Sequence, residues 1–159
     1  MEKKLKIAIY SGNIPSTTFI ENLIKGISKK HELFLFGKLK SLPDYNSKKI
    51  HIHPTYSNTF KNVVITKWRT FLLLIKYPKR FQMLWNQVKP IKGIYNKYHW
   101  WSRYAPVLLH LPDIFHIQWA KDVEKWFFLK EKLGCKLVLS LRGAHINYSP
   151  IADPQLAAS

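Results

Sequence analysis

The order of apolar segments near the amino terminus constrains the fold most strongly, because a strand pattern, a helix pattern and a second strand pattern follow one another. Leu5–Tyr10 is a short apolar run that ends at Ser11–Pro15, which predicts a buried strand and then a tight loop. A helix should begin at Thr18, which has capping-box spacing with Glu21. Its apolar stripe consists of Ile20, Leu23, Ile24 and Ile27. Residues 31–36 predict the second strand, and such a βαβ unit favours a parallel sheet with a right-handed crossover.

The same alternation returns towards the carboxyl end. Residues 49–53 predict a third, weaker strand, and residues 113–119 and 136–141 predict two more. Asp122 is expected to cap a helix between the last two strands, and Gly134 to end it. Strands and helices therefore alternate at both ends of the chain, as they do in a doubly wound sheet.

The middle of the chain has a different character. Residues from about 60 to 110 show helical patterns, which Pro78 and Pro90 divide into separate pieces. We therefore predict one α/β domain over residues 1–159, with a Rossmann-like, doubly wound and mainly parallel sheet and a basic helical insertion.

Charge is distributed unevenly along the chain. The sequence has 26 Lys and Arg against 9 Asp and Glu, a formal net charge of +17. No acidic residue occurs from Tyr45 to Pro112, a stretch that holds twelve basic residues and most of the tryptophans and tyrosines. Such a surface attracts polyanions, whether lipid headgroups, nucleic acid or phosphorylated substrates, although a merely solvated basic face is the alternative.

The basic stretch also contains apolar anchors, as helices that lie in a membrane interface require. Phe71–Ile75 and the pair Trp100–Trp101 are set among lysines, which favours an anionic membrane surface over nucleic acid bound through phosphates and base stacking. The predicted membrane-binding residues are Lys67, Arg69, Lys76, Lys79, Arg80, Trp100 and Trp101. No apolar run reaches the roughly 18 residues that span a bilayer, and the lone Cys135 suits a reducing compartment. We expect a cytoplasmic protein, peripheral on the inner face of the cell membrane.

Three segments carry the pattern of a known family. Residues 15–20 are PSTTFI, residues 112–120 are PDIFHIQWA, and residues 137–147 are LVLSLRGAHIN. They are similar to the segments P-S-E-T-F-I, P-D-I-I-H-x-H-W-A and L-V-x-T-x-H-G-x-D-I of family-four retaining glycosyltransferases, especially bacterial enzymes that build exopolysaccharide and O-antigen. The three segments occur in the family's order, each beside a predicted strand, and the resemblance extends over nearly the whole chain.

Members of that family have the GT-B architecture, in which two Rossmann-like domains face a cleft and the C-terminal one holds the nucleotide-sugar through an acidic E-x7-E motif. The resemblance implies that this chain is the N-terminal, acceptor-side half, incomplete at its C-terminal end. The missing C-terminal domain would be supplied in cis or by a separate chain. The implied activity is transfer of a sugar from a nucleotide-sugar to a lipid-linked or polysaccharide acceptor in cell-surface glycan synthesis. No cofactor is expected, and this fragment alone should be inactive. The alternatives are a basic and aromatic binding module for nucleic acid and a non-catalytic membrane-anchoring subunit of a split transferase.

Two pairs of residues in the first half of the chain are candidates for a site. Gly12 and Asn13 follow the first predicted strand, where backbone amides can approach a phosphate, although a simple strand-to-helix turn also favours glycine. His51 and His53 alternate along a strand, but they have no neighbouring Cys or carboxylate. We therefore predict donor or acceptor binding at Gly12 and Asn13 and no metal site.

The second and third family segments contain the remaining candidates. His116 lies in a predicted strand and is either a core histidine, which we favour, or a ligand-binding residue facing the cleft. Gln118 stands where the family has a second histidine. The resemblance makes Arg142 and His145 the catalytic candidates, at positions where the family has His and Asp. Arg142 would clamp a phosphate or carboxylate without accepting a proton, or else anchor its loop, and Gly143 would permit the turn and contact the ligand.

Overall fold

The computed structural model describes residues 4–45 and 47–141, and within them five strands form a single sheet. The strands are β1 (Lys6–Ile14), β2 (Glu32–Leu39), β3 (Ile50–Thr55), β4 (Ile114–Ile117) and β5 (Lys136–Leu139). Their spatial order is β3-β2-β1-β4-β5, and every pair of neighbours is parallel. This order reverses beside β1, so the prediction of a Rossmann-like, doubly wound α/β fold is confirmed.

Five α-helices accompany the sheet in the described residues. They are α1 (Thr18–Ser28), α2 (Thr59–Lys76), α3 (Pro78–Val88), α4 (Ile94–His110) and α5 (Phe127–Leu133). A 3-10 helix, Ala120–Trp126, precedes α5. Asn58 caps α2 by accepting a hydrogen bond from the Lys61 amide, and Pro78 occupies the first turn of α3, where its missing N–H costs nothing. None of the helices described is both long and apolar enough to cross a membrane.

The two faces of the sheet bury different side chains. On one face, Ile20 and Ile24 of α1 pack against apolar residues of β1 and β2. On the other face, the core is aromatic and centres on Trp126, which is fully buried. Its ring centroid lies 4.6 Å from that of Phe115 and 5.1 Å from that of Tyr104 in α4. Aromatic side chains bury roughly 150–250 Å² each, so this cluster attaches α4 firmly to the sheet.

The predicted helical region is present as α2, α3 and α4, which pack on one another. Leu73, Leu84 and Leu108 provide one buried side chain from each helix, and all three belong to the aromatic-face core. These three helices, which we call the helical layer, therefore lie on the opposite side of the sheet from α1.

Two local predictions are wrong in detail. β1 does not end at Tyr10 but continues through a bulge to Ile14, so Asn13 pairs with Lys38 rather than lying in a loop. The Ser11 hydroxyl stabilises the bulge by donating a 2.9 Å hydrogen bond to the Asn13 carbonyl. The helix expected from Asp122 instead begins as the 3-10 helix and becomes α-helical at Phe127.

The end of α5 is as predicted. Gly134 adopts a left-handed conformation with φ of 67°. Its N–H donates to the Lys130 carbonyl, and the Cys135 N–H donates to the Leu129 carbonyl. These bonds satisfy carbonyls that the helix end would otherwise leave without partners.

Candidate functional site

A pocket of about 310 Å³, which we call the carboxyl-edge pocket, opens at the carboxyl ends of β1, β2 and β3. Parallel α/β sheets bind their ligands at this edge, next to the strand where the order reverses. Here that strand is β1, and α4 forms the opposite wall. Its lining includes Gly12, Gly37, Lys38, His53 and Arg103.

Two glycines shape the pocket for different reasons. A Cβ on Gly37 would collide with the backbone carbonyl oxygen of Ser11, so only glycine allows the ends of β1 and β2 to approach this closely. A Cβ on Gly12 would meet no atom within 4 Å. Gly12 is therefore not needed by the fold, and its small size leaves the rim of the pocket open.

Two cationic side chains, Arg103 and Lys38, line this pocket, and Arg103 is held in place by two hydrogen bonds. Its Nε donates to the Tyr10 hydroxyl at 3.1 Å, and its Nη1 donates to the His99 carbonyl at 3.1 Å. Lys38 is exposed at the end of β2. An arginine held by hydrogen bonds at two of its nitrogens beside an exposed lysine suits a phosphate or carboxylate group, because the charge is in place before the anion arrives.

The side of the pocket formed by β3 contains a histidine, His53, that is neutral near pH 7. The His53 ring stacks on His110 at 3.8 Å between centroids, and its Nε2 is buried without a hydrogen-bond partner. Burial first, and then the neighbouring charges of His110 and Arg69, lower the pKa of His53 to about 3. Burial and Arg69 similarly lower the pKa of His110 to about 4. Near neutral pH this wall therefore carries no charge, and the anion-binding capacity of the pocket comes from Arg103 and Lys38.

The structure places the predicted ligand-binding residues in different positions. Gly12 lines the pocket, whereas Asn13 is held in the β1 ladder opposite Lys38. His116 lies in β4 with its Nε2 2.7 Å from the Ser140 hydroxyl, outside the pocket lining. Arg142, Gly143 and His145 lie outside the described residues. Within the described part of the chain, no group of three or more His, Cys, Asp or Glu is placed to hold a metal ion.

A second feature lies on the helical layer. A groove of about 670 Å³ runs between α2, α3 and α4, and we call it the helical groove. Phe71 and Trp85 line it and are about half exposed, at 51% and 54%. Leu74 and Ile94 also line it and are exposed, and other large apolar side chains of this part of the chain reach solvent outside the lining, namely Phe60, Val64, Trp68, Ile75, Tyr77 and Tyr95. These exposed apolar side chains make the three helices the candidate interaction surface of the described residues.

The predicted membrane-binding cations divide into two groups. Lys67, Lys76 and Lys79 are exposed on the helical layer, and Lys67 also lines the groove. Arg69 instead donates from Nη1 to the Pro54 carbonyl at 2.8 Å, and burial lowers its pKa. Arg80 donates from Nη1 to the Leu108 carbonyl and lies 4.2 Å from the centroid of the Tyr77 ring. Both arginines thus stabilise the packing of the layer.

The two predicted tryptophan anchors also differ. Trp100 is partly buried and packs against Tyr104 and Trp126 in the aromatic core. Trp101 lines the helical groove, and its indole N–H donates to the Thr70 hydroxyl at 2.8 Å. Of the two side chains, only that of Trp101 lines the groove.

No protein-family model matches the chain, and no curated protein matches it significantly. The structure describes a parallel α/β domain with a pocket at the carboxyl edge of its sheet, lined by two cationic side chains, and three helices that expose both lysines and apolar side chains.

Proposed function

We propose that this chain is the acceptor-side domain of a glycosyltransferase that works at an anionic membrane surface. In this role it would bind a lipid-linked or polysaccharide acceptor, to which a sugar is transferred from a nucleotide-sugar held by another domain. The carboxyl-edge pocket would receive the polar part of the acceptor, and the helical layer would attach the domain to the membrane. The transferase part rests on the three sequence segments described above, and the attachment rests on the helical layer.

The observation that carries the proposal is that α4 borders both cavities. This helix contributes Arg103 and Pro106 to the carboxyl-edge pocket and Tyr98 and Trp101 to the helical groove. A membrane-bound substrate has a polar head and an apolar part, and one helix borders a cavity suited to each. This arrangement favours a membrane-derived acceptor over a soluble one.

The charge pattern supports attachment to anionic lipid in particular. α2, α3 and α4 contain no carboxylate, and Lys67, Lys76 and Lys79 are exposed among aromatic side chains. Lysines near an anionic surface contribute about 1 kcal/mol each, and aromatic rings settle at the headgroup level. Both contributions act on the same surface, as two-signal membrane attachment requires.

Co-sedimentation with vesicles tests the attachment. We expect binding to phosphatidylglycerol–phosphatidylcholine vesicles, weaker binding to phosphatidylcholine alone, and a decrease as salt rises. The double change Lys76→Gln/Lys79→Gln removes two contributions of about 1 kcal/mol each and should weaken binding roughly thirtyfold. The matched double change Lys25→Gln/Lys30→Gln alters one exposed lysine in α1 and one just after it, across the sheet, and should have little effect.

Two results would contradict this proposal. Equal binding to neutral and anionic vesicles would show that electrostatic attraction does not contribute to the attachment. Tight binding of single-stranded DNA, lost together with the aromatic side chains of the helical layer, would instead favour the nucleic-acid function.

A further inference from the structure

We propose that the helical groove binds a single hydrocarbon chain of an anionic lipid, so that the domain inserts a lipid tail between its helices as well as resting on the membrane surface. This inference deepens the proposed membrane attachment and rests on it for the source of the lipid. The groove lies between α2, α3 and α4 and has a volume of about 670 Å³. That volume is within the range of roughly 300–1,000 Å³ typical of small-molecule sites.

The neutral polar groups of Thr70, Tyr98 and Trp101 along the groove already have hydrogen-bond partners in the protein, which favours an apolar ligand. The Thr70 hydroxyl donates to the Thr66 carbonyl at 2.8 Å and accepts the Trp101 indole N–H at 2.8 Å. The Tyr98 hydroxyl accepts a 2.8 Å hydrogen bond from the Asn62 side-chain amide. A sugar or a base in this groove would lose hydrogen bonds to water and find few replacements, whereas a hydrocarbon chain would lose none.

The shape of the groove distinguishes this proposal from flat docking. Val88 and Thr66 are buried at its floor, while Phe71, Leu74 and Trp85 rise at its sides and are partly exposed. A planar membrane surface would cover the exposed side chains but leave the concave floor unfilled. A flexible chain that leaves the bilayer can fill the space between the three helices and contact the floor.

The rim of the groove indicates the charge of the lipid headgroup. Lys67, Lys89 and Lys97 are exposed and line the groove, one from α2, one just beyond α3 and one from α4. These helices contain no acidic residue. An apolar trough with cations along its edge complements a molecule with an anionic head and a single apolar tail.

Calorimetry with monomeric alkyl phosphates tests the proposal on the intact chain without vesicles. Dodecyl phosphate below its micelle concentration should bind, butyl phosphate should not, and each added methylene should tighten the Kd by up to about fourfold. Dodecyl maltoside, which has the same tail and a neutral head, should bind more weakly. Changing Lys67, Lys89 and Lys97 to Gln should remove that preference for phosphate.

Filling the groove provides the matched variants. Val63→Trp and Leu74→Trp add a ring inside it, whereas Val64→Trp and Ile75→Trp add the same ring at exposed neighbours that do not line it. Dodecyl phosphate binding should fall at least tenfold in the first pair and stay within twofold in the second. Melting temperatures identify any variant that has failed to fold, and either member of the first pair suffices.

Each outcome has a definite meaning. Affinity that is independent of chain length, or lost equally in both pairs, overturns the proposal. A dimer in sedimentation equilibrium that Val63→Trp dissociates also overturns it, because the groove would then be covered by a second copy. Vesicle binding that persists in Val63→Trp while dodecyl phosphate binding is lost separates this inference from the membrane attachment, which Lys76→Gln/Lys79→Gln tests independently.

Discussion

At the scale of single residues, two glycines at the carboxyl edge give a direct test of the backbone geometry. Gly37→Ala places a Cβ against the Ser11 carbonyl oxygen, a backbone atom that cannot rotate away. We expect Gly37→Ala to lower the free energy of unfolding by about 1–3 kcal/mol, the usual cost of forced overpacking. Gly12→Ala, whose Cβ meets nothing, is the control and should change stability by less than about 0.5 kcal/mol. Equal urea midpoints for the two variants would contradict the close approach of β1 and β2.

The stacked histidines predict how stability depends on pH. Their folded-state pKa values of about 3 for His53 and about 4 for His110 lie below the ordinary value of 6.5. As pH falls from about 6.5 to about 4, the unfolded chain binds protons that the folded protein excludes, so stability decreases. The decrease is at most about 1.4 kcal/mol per pH unit for each histidine, and less because both rings are partly exposed.

Urea unfolding at pH 7.0, 6.0 and 5.0 measures this dependence. The double change His53→Phe/His110→Phe removes both titrations while keeping aromatic rings in the stack, so its stability should vary less with pH over this range. A slope identical to that of the wild-type chain would show that these two rings are not the cause.

The residue scale also shows where sequence patterns were insufficient. Gly12 was predicted from its place after a strand and does line the pocket, but the need for Gly37 arises from a neighbouring strand and leaves no local signal. Glu21 was expected to form a capping box with Thr18. In the structure it accepts from the Ser16 amide at 2.7 Å and from the Tyr45 hydroxyl, a partner 24 residues away. Contacts made across the fold decided both cases.

At the scale of elements, the basic residues of α2 have two distinct tasks. Arg69 links the helix to β3 through the Pro54 carbonyl and is partly buried, whereas Lys67 is exposed beside the groove. We expect Arg69→Ala to lower the melting temperature measurably, because it leaves a buried carbonyl without its donor. Lys67→Ala should leave the melting temperature within about 1 °C and weaken binding to anionic vesicles. The reverse pattern would mean that the two side chains have exchanged roles.

Element positions were predictable where periodicity and turn residues agreed. Pro78 and Gly134 mark helix boundaries as expected, because one lacks an N–H and the other adopts positive φ without strain. The bulge in β1 was not predictable, since Ser11 and Gly12 are also ordinary turn residues. Nor does periodicity separate a 3-10 start from an α-helical one, because Trp126 and Leu129 are three residues apart and both become buried.

At the scale of the whole molecule, the sequence predicted the basic region but neither of the two cavities. The acid-free stretch is plain in the sequence, but the helical groove takes its lining from α2, α3 and α4, and the carboxyl-edge pocket joins three strands to one helix. Which residues share a wall depends on how the layers pack. Sequence patterns identified the basic region and left open which of its residues are structural.

A protein with a net charge of +17 attracts any diphosphate at low ionic strength, so nonspecific attraction has to be separated from specific binding of a nucleotide-sugar. If the donor is held by another domain, UDP-glucose should bind this chain only through that general attraction. Binding seen by calorimetry in 10 mM salt should then weaken to a Kd above about 1 mM at 150 mM salt, where charges more than about 8 Å apart are screened. Arg103→Ala, which removes the fixed cation of the carboxyl-edge pocket, should change the residual affinity no more than Lys25→Ala on the far side of the sheet, since each removes one charge. A micromolar Kd that survives 150 mM salt and is lost in Arg103→Ala alone would place the donor in this pocket and contradict the assignment of an acceptor-side role.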